Sequence, residues 1–259
     1  MDALITLLHA LPPEAMSLAM VATAYGGVLL LFRLFGLPGI AAFVVLALLG
    51  GNIQVIKVAK FSVFQSPVAL GTELFASTYL AMDVIAENYG PGQARRTIWL
   101  GFASQLLFAW IMILTLGYRP LTGPGAADQA GVEGALKALM QPQMGLLAAG
   151  LISYAISQNL DVTIFARLKR ATRGGQLWFR NGVASLAAAL TDNIIFSTLA
   201  WEVFTEKRVP LHDLIFTYIL GTFYIRALVS LLDTPFMYLS RKVYRARAAF
   251  EATPLEAVR

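Results

Sequence analysis

VASLAAALTDNIIFSTLAW, residues 183–201, is almost unbroken hydrocarbon with one carboxylate, Asp192, near its centre. A run of this kind crosses a bilayer core of about 30 Å as an α-helix, at about 1.5 Å of rise per residue. A charged side chain at mid-helix costs roughly 2.5–3.5 kcal/mol on insertion scales unless a cavity or a partner receives it. The stretch therefore carries two statements. Its solvent is lipid, and something inside the protein has to answer Asp192.

Working outward, similar windows recur along nearly the whole chain of 259 residues, which is 58% hydrophobic and 14% charged. The pattern predicts an all-α integral membrane protein, a single polytopic transmembrane domain over 1–259. Seven spans are expected, at about 16–35, 39–59, 67–87, 97–117, 143–166, 182–203 and 212–239, the last kinked at Pro235. Only the connection 117–142 is long enough to hold extra structure, such as a short surface helix. Lys and Arg then divide 13 to 6 between the two sides, with Arg226 left inside a span. The richer side holds Arg33, Arg95, Arg96, the 167–180 cluster and the basic tail 243–259 with its approach; the poorer holds Lys57, Lys60, Arg119, Lys137, Lys207 and Arg208. By the positive-inside rule the C-terminus is expected in the cytoplasm and the N-terminus outside.

Several function classes fall away. There is no cysteine, hence no disulfide, thiol catalysis or cysteine-held metal. The two histidines, His9 and His212, fall near expected external span ends, which disfavours a histidine metal centre or a serine–histidine protease. No GxxxxGK[ST] loop occurs, so an ATPase would have to be a separate partner. The basic excess of +5 sits in clusters beside apolar spans, which suits a bilayer surface and not nucleic acid. The opening MDALITLLHALPPEAM lacks the basic start and cleavage site of a secretory signal and is expected to be retained. No cofactor and no metal are expected.

The ionisable residues within spans are Glu73, Asp83, Asp161, Asp192, Arg226 and Asp233, accompanied by the amides Asn52, Gln54, Gln105, Gln158 and Asn193. Ser157 and Gln158 share a helical face with Asp161, and Arg226 shares one with Ser230 and Asp233. Such faces should line a polar cavity, with Phe61, Phe64, Phe75, Tyr79, Phe196, Trp201, Phe223 and Tyr224 available as flat walls. The structural alternatives are an Asp161–Arg167 pair at a helix end, Asp83 and Glu87 as an interfacial helix end, and an internal Arg226–Asp233 pair. Gly26, Gly27, Gly50 and Gly51 read as close-packing points.

The stretches YLAMDVIAENYGPGQARR, SYAISQNLDVTIFARLKR, LWFRNGVASLAAALTDNIIFSTLAW and FYIRALVSLLDTPFMYLSRK resemble, in order and spacing, the queuosine precursor transporter family, also called the vitamin uptake transporter family. The resemblance runs from about Asn52 to Lys242. It implies a six-helix core at about 39–242, similar to the substrate-binding components of energy-coupling-factor vitamin transporters, with the span at 16–35 as an addition. It also implies uptake of 7-deazaguanines such as preQ0 or preQ1 across a bacterial cytoplasmic (inner) membrane; of the polar residues within spans, Asn52, Asp83, Gln158, Asp161, Asp192 and Arg226 are expected to bind the substrate. Arg226 stands where lysine is common in that family. An ion gradient, an energy-coupling module or a second copy of the chain are the partners such a protein would use besides lipid and substrate. A component that depends on an ATPase module for another vitamin-like molecule is the alternative, and a membrane-embedded enzyme using paired carboxylates is a weaker one.

The charge distribution predicts that a reporter fused after Arg259 reads cytoplasmic and one inserted within 121–135 reads external; the reverse pair of readings would overturn the orientation.

Overall fold

The computed structural model describes residues 2–62, 68–124, 126–140, 143–205 and 208–251. Helices run at α1 (Asp2–His9), α2 (Pro13–Phe35), α3 (Leu37–Gln54), α4 (Thr72–Asn88), α5 (Pro91–Leu116), α6 (Ala126–Met140), α7 (Gln143–Ala171), α8 (Leu177–Thr198), α9 (Leu211–Asp213), α10 (Thr222–Leu231) and α11 (Thr234–Glu251). Wider π-helical turns continue α8 over Leu199–Val203 and join α9 to α10 over Leu214–Gly221. Between α3 and α4, β1 (Val58–Ala59) and β2 (Val68–Ala69) form a two-residue antiparallel ladder with Val58 opposite Ala69. The protein is an all-helical membrane bundle.

Every expected span contains a helix, but fewer pass as spans by length and apolarity. Five do, or six if α6 and α7 are counted together as one broken span, against the seven expected. The segment that falls short is α4, 17 residues long and carrying Glu73, Asp83 and Glu87. Its position explains the composition: α4 packs against α2, α3, α5, α7, α10 and α11, and everything from Ala76 to Ala86 on it is buried. A helix enclosed by protein does not need a lipid-compatible surface. The last expected span also divides. α10 stops at Leu231 and α11 starts at Thr234, with Pro235 in the first turn, where its missing N–H has no intrahelical partner to lose. The long connection 117–142 contains α6, as a loop of that size allowed. The tail residues 252–259, together with Phe64 and Lys207, lie outside the described residues.

Helix junctions are set by glycines. Gly36, at φ 67°, turns α2 into α3, and Gly71, at φ 94°, starts α4 where an added Cβ would fall 2.7 Å from the Gly51 carbonyl. Of the expected packing glycines, Gly27, Gly50 and Gly51 face Phe43, Leu74 and Phe75 within 3.3 Å, whereas Gly26 faces nothing within 4 Å. The core is Tyr25 and Phe32 of α2, Ile40 and Leu48 of α3, Leu80, Met82 and Ile85 of α4, Ile98 of α5 and Phe165 of α7. The outer surface keeps Leu106, Leu107 and Trp110 exposed, as a lipid-facing helix does.

One end of the bundle gathers the ends of several helices. Phe32 of α2, Tyr89 after α4 and Tyr244 of α11 form a ring cluster, Arg247 of α11 donates to the Arg33 carbonyl, and Lys169, Arg180 and Arg241 meet at Glu87. These basic residues all belong to the richer side of the Lys and Arg division.

Candidate functional site

α4, α7 and α8 bring their polar faces together because each carries small or polar residues at helical spacing toward the centre. On α8 the buried face runs Asn181, Ala184, Ser185, Ala188, Ala189 and Asp192. On α7 it is Ser153, Ser157, Gln158 and Asp161, and on α4 it is Ser77, Thr78, Tyr79 and Asp83. Small neighbours allow the backbones to approach, and the polar side chains then find one another across the gap.

Asp192 is answered. Arg226 of α10 pairs with its Oδ2, and Ser157 Oγ donates to its Oδ1 at 3.0 Å. Tyr79 Oη donates in turn to Ser157 Oγ at 3.0 Å, so a chain runs from α4 through α7 to α8 and α10. The alternative of an internal Arg226–Asp233 pair is not what forms: Asp233 instead accepts from Asn181 Nδ2 at 2.5 Å. The reason is register, since Asn181 sits at the Asp233 end of α8 and Asp192 faces α10 eleven residues later.

Asp161 is not answered in the same way. It is fully buried, and apart from the neighbouring Asp83 carboxyl neither of its oxygens meets a donor. No ion pair to Arg167 forms among the described residues, because Asp161 lies inside the bundle and not at the helix end. Gln158, one turn earlier, donates from Nε2 to Thr78 Oγ1 at 2.8 Å while its Oε1 meets no donor. Asp83 is also fully buried; its Oδ2 accepts from Ser185 Oγ at 3.4 Å and its Oδ1 meets no donor. The Asp83 and Asp161 carboxyls lie within hydrogen-bonding reach of each other.

A cleft bordered by Tyr79, Ser185, Arg226, Ser230 and Asp233 opens among these residues, but its volume is ≈ 10 Å³. That is room for about one water molecule, so the helices are closed on the site. Asn52 lies elsewhere. Its amide donates to Gln105 Oε1 at 2.6 Å at the edge of a mostly apolar groove of ≈ 310 Å³ between α3, α5, α6 and α7. Of the expected aromatic walls, Tyr79 belongs to the site, Trp201 packs on Tyr218, and Tyr224 is exposed.

Thr78, Asn181 and the three basic partners of Glu87 are not among the residues the sequence singles out, whereas Glu87 itself reads there as a helix end beside Asp83. Thr78 is indistinguishable from an ordinary helical threonine without its Gln158 partner. Asn181 follows Phe179 and Arg180 and reads as interfacial, although its spacing to Ser185 and Asp192 on one face was the available signal. Glu87 closes one end of the site: Lys169 reaches its Oε2 at 3.0 Å, Arg180 at 3.1 Å, and Arg241 reaches its Oε1 at 2.5 Å. Arg180 is wholly buried, with its guanidinium 5.0 Å from the Phe165 ring centre. Among the described residues no group of three or more histidine or acidic side chains is arranged to hold a metal.

Residues 69–240 match the family model described as "Putative vitamin uptake transporter". The curated protein "Probable queuosine precursor transporter" of Bacillus subtilis (strain 168) is 30% identical over 217 residues, which cover 83% of this chain and 89% of that protein. No solved structure matches. The family match takes in Asp83, Gln158, Asp161, Asp192 and Arg226 and leaves Asn52 outside.

Glu87→Ala strands the buried Arg180, and removal of one member of a buried ionic cluster typically costs about 3–5 kcal/mol. The variant is expected to melt well below the wild type, whereas Glu133→Ala, which breaks the exposed pair with Lys137, should change stability by about 0.5 kcal/mol or less. Equal melting of the two variants in detergent would show that the Glu87 cluster does not hold the bundle end.

Proposed function

This chain belongs to the vitamin uptake transporter family, and from that premise we propose that it imports queuosine precursors, 7-deazaguanines such as preQ0 and preQ1, across the cytoplasmic membrane of a bacterium. It is a transporter and not an enzyme. The observation that carries the substrate reading is the set of buried acceptors on α7 without donors: Gln158 Oε1 and both oxygens of Asp161. Leaving buried acceptors unmatched costs about 1–3 kcal/mol each, more for charged ones, and a ligand rich in N–H groups recovers that cost.

A deazaguanine offers such an edge. Its ring N–H and exocyclic amine lie side by side and suit one carboxylate with two parallel bonds, here that of Asp161. A third N–H can reach Gln158 Oε1. The ring carbonyl needs a donor, and Arg226 at the cleft has spare N–H groups beyond the one it gives Asp192. Asp192 then positions Arg226, and Tyr79 supplies a ring beside the cleft. Asp83 borders the same site through Ser185. Because the helices are closed in this conformation, entry requires α8 and α10 to move away from α4. The wide π-helical turns flanking them, over Leu199–Val203 and Leu214–Gly221, are where a helix accommodates such displacement. The basic end around Glu87 faces the cytoplasm on this reading, by the positive-inside rule.

Labelled precursor offered to cells that lack their own importer should accumulate when this chain is expressed, and no gain over empty vector would count against the reading. In the purified protein, Gln158→Ala and Asp161→Asn should each weaken binding by about 1–3 kcal/mol, roughly 5- to 150-fold, with the carboxylate the larger. The double variant should lose less than the sum, because Asp161 fixes the orientation that lets Gln158 reach the ligand. Unchanged affinity in both single variants would remove this face from the site.

A further inference from the structure

The contact between Asp83 and Asp161 has no use in binding a neutral heterocycle, since one carboxylate suffices for the donor pair. Asp83 comes from α4 and Asp161 from α7, both are fully buried, and they stand within hydrogen-bonding reach of each other. Three of their four oxygens meet no donor, and Ser185 of α8 supplies the one that is met. The charged groups facing the pair offer no relief. Asp233, at the α10–α11 junction, is another acid and is taken by Asn181. Glu87, one turn along α4, is matched by Lys169, Arg180 and Arg241. Asp192 on α8 has Arg226. Among the described residues no lysine or arginine pairs with Asp83 or Asp161.

An ionised carboxylate only accepts, so two carboxyls hold a hydrogen bond only when one of them carries a proton. Two unmatched charges side by side in a dry interior would instead drive the helices apart. A proton shared between the two carboxyls relieves that repulsion.

We propose that Asp83 is the proton-coupling carboxylate of this transporter, taking up one proton with each substrate molecule on the outer side and releasing it on the inner side. This coupling rests on the substrate reading above. Substrate engages Asp161 as the anion, and the protonated Asp83 donates to Asp161, which lets α4 and α7 close. On the inner side the Asp83 O–H breaks and the proton leaves to water. The two carboxylates then repel, the contact opens, and substrate is released from an Asp161 no longer held. Closed and open forms are thus a two-state pair biased by one proton.

Liposomes containing the purified protein separate the claims, with labelled 7-deazaguanine as the probe. Under an inward gradient of one pH unit the wild type should concentrate substrate by up to about tenfold, the limit for one proton per molecule. A sodium gradient alone should drive nothing. Asp83→Asn is close to isosteric and its amide donates to Asp161 as the protonated acid does, but it has no proton to give up. It should melt as the wild type does and lose both accumulation under the pH gradient and the substrate-linked rise in external pH. Without any variant, substrate added outside wild-type vesicles should raise the external pH, read with an impermeant dye. Accumulation driven by sodium, wild-type net uptake indifferent to a pH gradient, Asp83→Asn that still accumulates, or no dye response would each overturn the proposal. Absence of counterflow in the wild type would strike the substrate reading itself.

Discussion

Lipid cannot solvate a carboxylate, and that constraint organises the bundle around α4. Its three acids are answered from three directions: Ser17 of α2 donates to Glu73 at 2.5 Å, Ser185 of α8 donates to Asp83, and Lys169, Arg180 and Arg241 of α7, α8 and α11 enclose Glu87. Helices that must each deliver a donor to one central helix cannot slide or rotate freely. Apolar contacts such as Phe32, Ile40, Leu80 and Ile98 supply close packing, but they would tolerate other registers. The acids remove that freedom, as buried polar groups do when they fix one arrangement among several.

Against this background the unequal treatment of the buried acids carries the functional argument. Glu87 and Asp192 are fully matched, and Asp233 has an amide donor. Asp161 and the carbonyl of Gln158 are left without donors in the middle of the same network. A sequence shaped only for stability would place leucine or serine there at lower cost. Groups held in a costly state inside an otherwise matched frame mark the place where a ligand or a proton completes the set.

Much of this was legible in the sequence because bilayer spans and their exceptions are one-dimensional signals. The helix over 177–198 follows from its apolar run, and the burial of Ser157, Gln158 and Asp161 follows from their spacing on one face. The charge count grouped Arg33, Lys169, Arg180, Arg241 and Arg247, which do meet at one end. Partner choice was not legible. Whether Arg226 pairs with Asp233 on its own face or with Asp192 across the gap depends on how far α8 and α10 are displaced along each other, which no local pattern records. The expected span at 67–87 contains α4, which at 17 residues with three acids does not pass by length and apolarity because it is enclosed by other helices, so five or six helices pass where seven spans were expected. Asn52 shows the same limit, since a polar residue in a span can as well satisfy Gln105 as a ligand.

The central claim, that the free acceptors of α7 receive the side-by-side N–H donors of a planar ligand, is tested most directly by comparing two ligands of one shape. Thermal stability of the purified protein should rise with 7-deazaguanine, by about 2.7 kcal/mol at one hundred times its dissociation constant. 7-Deazaadenine has the same ring outline but an unprotonated ring nitrogen beside its amine, and should give no shift at that concentration. Equal stabilisation by both ligands, or by neither, would contradict the account.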